Sequence, residues 1–218
     1  MKAGRLRAAV LGRRGASVAS AAGVAVLVAA AVVACRAQPA PNVGGAEVTA
    51  LATPPATAPV APPPTTATKA PVVPPTKLRI PAIEVVATVN PVGVDANGDF
   101  AVPPSVDQVG WYKFGPGVNA SAGSVVIAGH VDSREQGKGA FFRLGELDRG
   151  DEVTVAGDDG VVHTYRVIAR EEYRKTKIPL ERYFARDGKP RLTLITCGGP
   201  FDREARRYRD NIVITAVE

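Results

Sequence analysis

The sequence predicts an all-β domain over residues 77–218, a closed eight-stranded barrel with one or two short helical turns, preceded by an N-terminal transmembrane segment and a disordered linker. Two observations carry the barrel: short alternating or apolar runs separated by Gly, Pro, Asn and Asp, and the crowding of eight such runs into one domain-sized stretch. A third carries the preamble: the sequence changes character twice before residue 77.

The expected strands are LRIPAI (78–83), VVATVNPVGV (85–94), FAVP (100–103), SVVIAGHV (124–131), EVTVAG (152–157), VVHTYRVIA (161–169), RLTLITC (191–197) and NIVITAVE (211–218). The breaks have turn chemistry, since "DANGD" (95–99) and "GDDG" (157–160) supply residues that tolerate positive φ. AFFRLGEL (140–147) and PLERYF (179–184) read as single helical turns.

Residues 1–14 carry five basic side chains and no acid, and residues 15–35 carry no charge. An uncharged run of about 20 residues is long enough to cross a bilayer as a helix, and flanking Lys and Arg favour a cytoplasmic N-terminus. Residues 15–35 therefore read as a signal anchor, with the domain outside a cell membrane. A second reading treats Val32-Val33-Ala34-Cys35 as a lipobox, in which Cys35 is lipidated after cleavage. Residues 36–76 are Pro, Ala and Thr with scarcely a charge, a composition that reads as a semi-rigid extended spacer reaching on the order of 100 Å.

Net charge is +6, but residues 1–76 hold seven basic side chains and one Glu, so residues 77–218 are balanced at twenty of each sign. The folded part has no net positive field for a phosphate backbone, and nucleic acid is excluded as a partner on that ground. The acidic residues Asp148, Asp151, Glu152, Asp158 and Asp159 fall in turns without ligand-like spacing, so neither a metal nor another cofactor is expected.

Cys197 is the lone thiol of the exported part, at the end of an apolar run and in front of Gly198 and Gly199. A thiol needs a base or cation to become a nucleophile. His163 lies inside a strand pattern and reads as structural or solvent-facing, whereas His130 stands where a strand breaks into a polar loop. Arg209 opens the final strand, and an antiparallel pairing brings it beside Cys197 as a donor for an oxyanion. Arg206 and Arg207 are rivals, deeper in the loop.

The order of His130, then "TLITC" (193–197), then Arg209 before a terminal strand resembles the sortase family of membrane-anchored cysteine transpeptidases. "VVIAGHVDSR", "FFRLGEL", "LTLITCGGPFD" and "YRDNIVI" most resemble its actinobacterial branch, class F, over residues 77–218. The resemblance implies that Cys197 is the nucleophile, His130 the general acid/base and Arg209 the substrate-orienting, oxyanion-stabilising arginine. It implies cleavage of a Leu-Pro-x-Thr-Gly-like sorting-signal peptide between Thr and Gly, then transfer of the acyl group to an amine acceptor such as a peptidoglycan precursor. It also implies that the loop 175–190 helps select the signal. Two other classes stay open on sequence alone: a secreted cysteine hydrolase using water as acceptor, and a noncatalytic cell-wall binding barrel in which Cys197 is a buried filler.

Overall fold

The structure, a computed structural model, describes residues 41–52, 71–96 and 98–218. The expected anchor at 15–35, the basic segment 1–14, Cys35 and most of the expected spacer lie outside the described residues. Among those described, no helix is long and apolar enough to cross a membrane.

Ten strands follow in chain order: β1 (Pro75–Ile80), β2 (Val85–Val92), β3 (Val109–Tyr112), β4 (Ser124–Gly129), β5 (Asp132–Ser133), β6 (Gly137–Lys138), β7 (Glu152–Gly157), β8 (Val162–Arg174), β9 (Arg191–Asp202) and β10 (Arg207–Val217). Eight close a barrel in the order β1-β2-β3-β4-β9-β10-β8-β7, and β5-β6 is a separate small hairpin. All neighbouring pairs are antiparallel except β2–β3 and β4–β9. Closure leaves the barrel no unpaired edge.

Alternation decides which side chains fill it. In β7 Val153 and Val155 point inward, and β4 sends Val125 and Ile127 to meet Leu192 and Leu194 of β9 and Ile214 of β10 in the main core. Phe141, Leu144 and Leu147 close one flank from the AFFRLGEL segment, where only Leu144–Glu146 forms a 3-10 turn.

Three expectations are corrected. FAVP (100–103) is not a strand: it contributes a single bridge, Val94 to Phe100. The eighth barrel strand is instead β3, VGWY, paired parallel to β2. The segment expected to be a disordered spacer contains an eight-residue helix, α1 (Gly45–Ala52), and Val43 pairs with Arg170 of β8.

Tertiary contacts hold α1 in place. Val48 is fully buried in a second apolar cluster with Ala169, Val213 and Tyr183, against which Ile178, Phe184 and Ile195 also pack. Arg149 grips the Glu47 carboxylate with both terminal nitrogens, Nη2 to Oε1 at 2.7 Å. Because Ile195 lies two residues before Cys197, this outer cluster supports the strand that carries the thiol. Val48→Asp places a charge in that cluster and should lower unfolding free energy by about 2–4 kcal/mol. A shift of the urea midpoint at unchanged slope measures it.

The loop between β8 and β9 holds a single helical turn, α2 (Leu180–Tyr183), and two buried charges fix it. Arg191, 1% exposed, donates to the carbonyls of Arg182 (3.0 Å) and Lys189 (2.9 Å), so the loop's backbone is tied down at its middle and near its C-terminal end. Glu171 accepts from the hydroxyls of Tyr173 and Tyr183, each at 2.7 Å. Arg182 donates to the Gly45 carbonyl at 2.7 Å, joining α1 to the same network. Burial, more than these bonds, raises the pKa of Tyr183 well above the tyrosine range.

Candidate active site

Cys197 lies in the middle of β9, which continues to Asp202, and not at a strand end as expected from the sequence. The strand persists because "GGPFD" pairs with β10 as far as the Asp202–Arg207 rung. Leu192 and Leu194 point into the barrel and Ile195 onto the outer cluster. By the same two-residue period, Cys197 stands on the outer face, half-buried.

His130 directly follows β4, as expected. The parallel register pairs Ala128 with Ile195, and Thr196 Oγ1 donates to the Gly129 carbonyl at 2.8 Å. Followed past its last pair, this register leads His130 toward Cys197 on the outer face. Its Nε2 lies 2.9 Å from the Pro103 carbonyl oxygen. A carbonyl only accepts, so Nε2 carries the hydrogen and Nδ1 is the ring position left to take up a proton. Pro103 can come this close because Gly110 of β3 has no side chain: a Cβ there would meet Pro103 Cδ at 3.1 Å and Val92 at 2.7 Å.

Arg209 is the third residue of β10, on the other side of Cys197. Asn211 pairs with Cys197, Asp210 with Gly198 and Tyr208 with Phe201, so Gly199 and Pro200 together face Arg209 alone. This is a β-bulge, and Gly199 adopts the left-handed φ of +69° that its first residue requires. Alternation from inward-facing Ile214 puts Arg209 on the outer face with Cys197 and His130. Its guanidinium is exposed, and its charge helps lower the pKa of Asp202, for which the backbone hydrogen bond from Ala205 is the larger cause. The rivals sit elsewhere: Arg206 is in the tight turn at φ +51°, and Arg207 forms the last rung with Asp202.

Two neighbours were not legible in the sequence. Lys175, just past β8, places Nζ 3.3 Å from Cys197 Sγ, and its backbone N–H donates to the Arg209 carbonyl at 3.2 Å. Tyr208 donates its hydroxyl to Asp132 Oδ2 at 2.6 Å, tying the loop after His130 to the hairpin that carries Arg209. The bond to Asp132, with burial behind it, pushes the Tyr208 pKa up to about 12.

His163, expected to be structural or solvent-facing, bonds Glu218 through Nδ1 at 2.8 Å near the other end of β8. Three of the acidic turn residues have partners. Asp148 pairs with Arg170 at 2.9 Å, and Asp151 and Asp159 accept backbone N–H groups at 2.8 and 3.0 Å. Aromatic rings gather at the end of β3. Tyr112 packs edge-on to Phe184 of the β8–β9 loop, with ring centres 5.2 Å apart, and lies 6.1 Å from Phe100.

A profile of the sortase domain matches residues 78–218. The chain belongs to the sortase family. Sortase C-1 from Streptococcus pneumoniae is similar at TM-score 0.50 and 18% identity, over 65% of this chain and 64% of that one. Sortase C1 from Streptococcus agalactiae gives TM-score 0.50 and 17% identity, over 64% of each chain. Sortase A from Corynebacterium diphtheriae gives 0.49 and 19%, over 68% of this chain and 61% of that one. The chain thus spans somewhat less than two thirds of the length of these sortases. No curated protein matches it. At this identity, the two likenesses at TM-score 0.50 bear on the fold alone.

Proposed function

We propose that this sortase is a membrane-tethered cysteine transpeptidase of the class F kind, acting outside the cell on a Leu-Pro-x-Thr-Gly-like sorting signal. What supports the reading is the register of the parallel β4–β9 pair, which leads His130 toward Cys197, together with the bulge of β10 that carries Arg209. Cys197 passes its S–H proton to His130 as Sγ attacks the Thr carbonyl, and the oxyanion is held by the fixed fork of Arg209. As the Thr–Gly C–N bond breaks, His130 gives its proton to the leaving amine, and a thioacyl enzyme remains. An incoming amine then loses a proton to His130 and forms the new C–N bond, and the C–S bond breaks to restore the thiol. Residues 15–35 anchor the enzyme, with the spacer and α1 leading to the barrel.

The test incubates the purified full chain with a Leu-Pro-x-Thr-Gly peptide, with and without a glycine-based amine, and reads products by mass spectrometry. A product joined to the amine at Thr supports the proposal. Free acid alone in the presence of amine identifies a hydrolase, and no reaction supports a noncatalytic barrel. Arg209 is tested in the same assay. Arg209→Lys should lower kcat by about 10²-fold, because an ammonium cannot reproduce the planar fork. Arg206→Ala and Arg207→Ala should stay within about threefold of wild type, and the reverse pattern would move the role to a rival arginine.

A further inference from the structure

We propose that Lys175 is a catalytic residue of this site, the cation that activates the Cys197 thiol. The inference rests on the reading of Cys197 as nucleophile, but on no particular substrate. Nζ sits 3.3 Å from Sγ, a contact that favours the sulfur's anionic form, since an ammonium has three donors and no acceptor.

The contact is built from both ends. Arg174, the preceding residue, pairs with Asp210 in the β8–β10 ladder, and the Lys175 N–H is fixed on the Arg209 carbonyl. The backbone that sets the bulge at Arg209 therefore also aims Lys175 across the outer face at the sulfur. The side chain is half-buried, unlike that of Lys177 two residues on, which is exposed.

Of the other charged groups around the thiol, His130, Asp132 and Arg174 have partners of their own, and Arg209 is exposed. His130 approaches from the end of β4 with Nε2 on Pro103. Arg209 approaches from β10 and is exposed to solvent. Asp132 accepts from Tyr208, and Arg174 Nε reaches Asp210 at 3.4 Å. Asn211, opposite Cys197 in the ladder, is neutral. Among the described residues, Lys175 is thus the cation in hydrogen-bond reach of the sulfur. When Cys197 ionises, the S–H proton leaves through His130 or to water, and the ammonium keeps its own protons. Acylation then converts the charged sulfur into a neutral thioester and releases the lysine.

The experiment measures the second-order rate of Cys197 alkylation by iodoacetamide, a neutral probe, between pH 6 and 9.5 in the full chain. Wild type is compared with Lys175→Met, Lys175→Arg and, as a charge control, Lys177→Met, each checked for an unchanged melting temperature. A charge about 3 Å away in a near-aqueous setting alters a proton equilibrium by about tenfold. Lys175→Met should therefore react about tenfold more slowly at pH 7 and within about twofold of wild type at pH 9.5, where the thiol ionises unaided. Lys175→Arg and Lys177→Met should stay within about threefold throughout. A Lys175→Met rate equal to or above wild type at pH 7 would overturn the proposal, because the lysine would then cover the sulfur instead of activating it. A deficit that persists undiminished at pH 9.5 would also overturn it, since access and not charge would be at stake. If these rates come out as expected and no peptide is joined to an amine, the transpeptidase reading fails and the lysine's role stands.

Discussion

Cys197→Ala should reduce amine transfer to background, and His130→Ala should lower kcat by about 10³-fold with KM within about threefold of wild type. The two losses have different causes. Without Sγ no thioacyl enzyme forms and no other thiol of the described residues can replace it, so mass spectrometry should find no acylated protein. Without His130 the nucleophile remains, but the leaving amine must depart without a positioned proton, a loss in the range that general acid catalysis supplies. The Pro103 contact sharpens the point. It holds Nε2–H in place and leaves Nδ1 to carry the proton, so His130→Gln, which can bond but cannot shuttle a proton, should be as slow as His130→Ala. Residues that act as one unit are not additive, and the double variant should be no slower than Cys197→Ala alone. A His130→Ala enzyme retaining more than a tenth of wild-type kcat would remove His130 from the acid/base role.

The barrel was legible where local pattern and burial agree. EVTVAG alternates cleanly between turn residues, and β7 has the expected bounds, Glu152 to Gly157. β3 was missed because VGWY is four residues long and its pairing with β2 is parallel, made across a long connection that no local pattern announces. FAVP misled for the converse reason: its residues look strand-like, but Pro103 and Pro104 have no N–H to give a ladder. The helix α1 was hidden by averaging. Residues 36–76 are rich in proline, yet 42–53 contain none, and Val48 gains its burial from β8 and β10, far away in sequence.

The sequence singles out three candidate residues, but not what arranges them. Cys197, His130 and Arg209 stand out in the sequence by residue type, and His130 and Arg209 also by their places near strand boundaries. Cys197's own surroundings were misjudged, because the hairpin continues past it as a bulged ladder. Lys175 left no signal: it is one lysine among several in a polar loop, and only the β8–β10 register aims it at the sulfur. The Tyr208–Asp132 bond spans 76 residues of chain, a pairing that spacing alone does not disclose.

Gly199→Ala should cost about 3 kcal/mol of stability and at least tenfold in kcat/KM, the largest effect expected outside the three named residues. Part of the cost is backbone strain, about 1–2 kcal/mol for a side chain held at positive φ. The remainder is steric, since a Cβ at Gly199 would lie 2.0 Å from Asp210 Oδ2. Asp210 is 8% exposed and paired with Arg174 at 3.4 Å. It also lies beside Glu172, whose pKa is raised by burial and then by the Asp210 charge. Asp210 therefore has little room to swing aside without loosening the rung next to Arg209 and Lys175, and the activity loss should follow from that. Gly137 provides the control: its φ is +81° with nothing within 4 Å of an added Cβ, so Gly137→Ala carries the strain without the clash. Urea unfolding should place Gly137→Ala about 1 kcal/mol below wild type with activity within about twofold. Equal losses for the two alanines would mean that the bulge at Gly199 does not set the geometry of the site. A larger loss at Gly199 in both stability and kcat/KM would make the second glycine after Cys197 the residue that lets a hairpin carry thiol and guanidinium on one face.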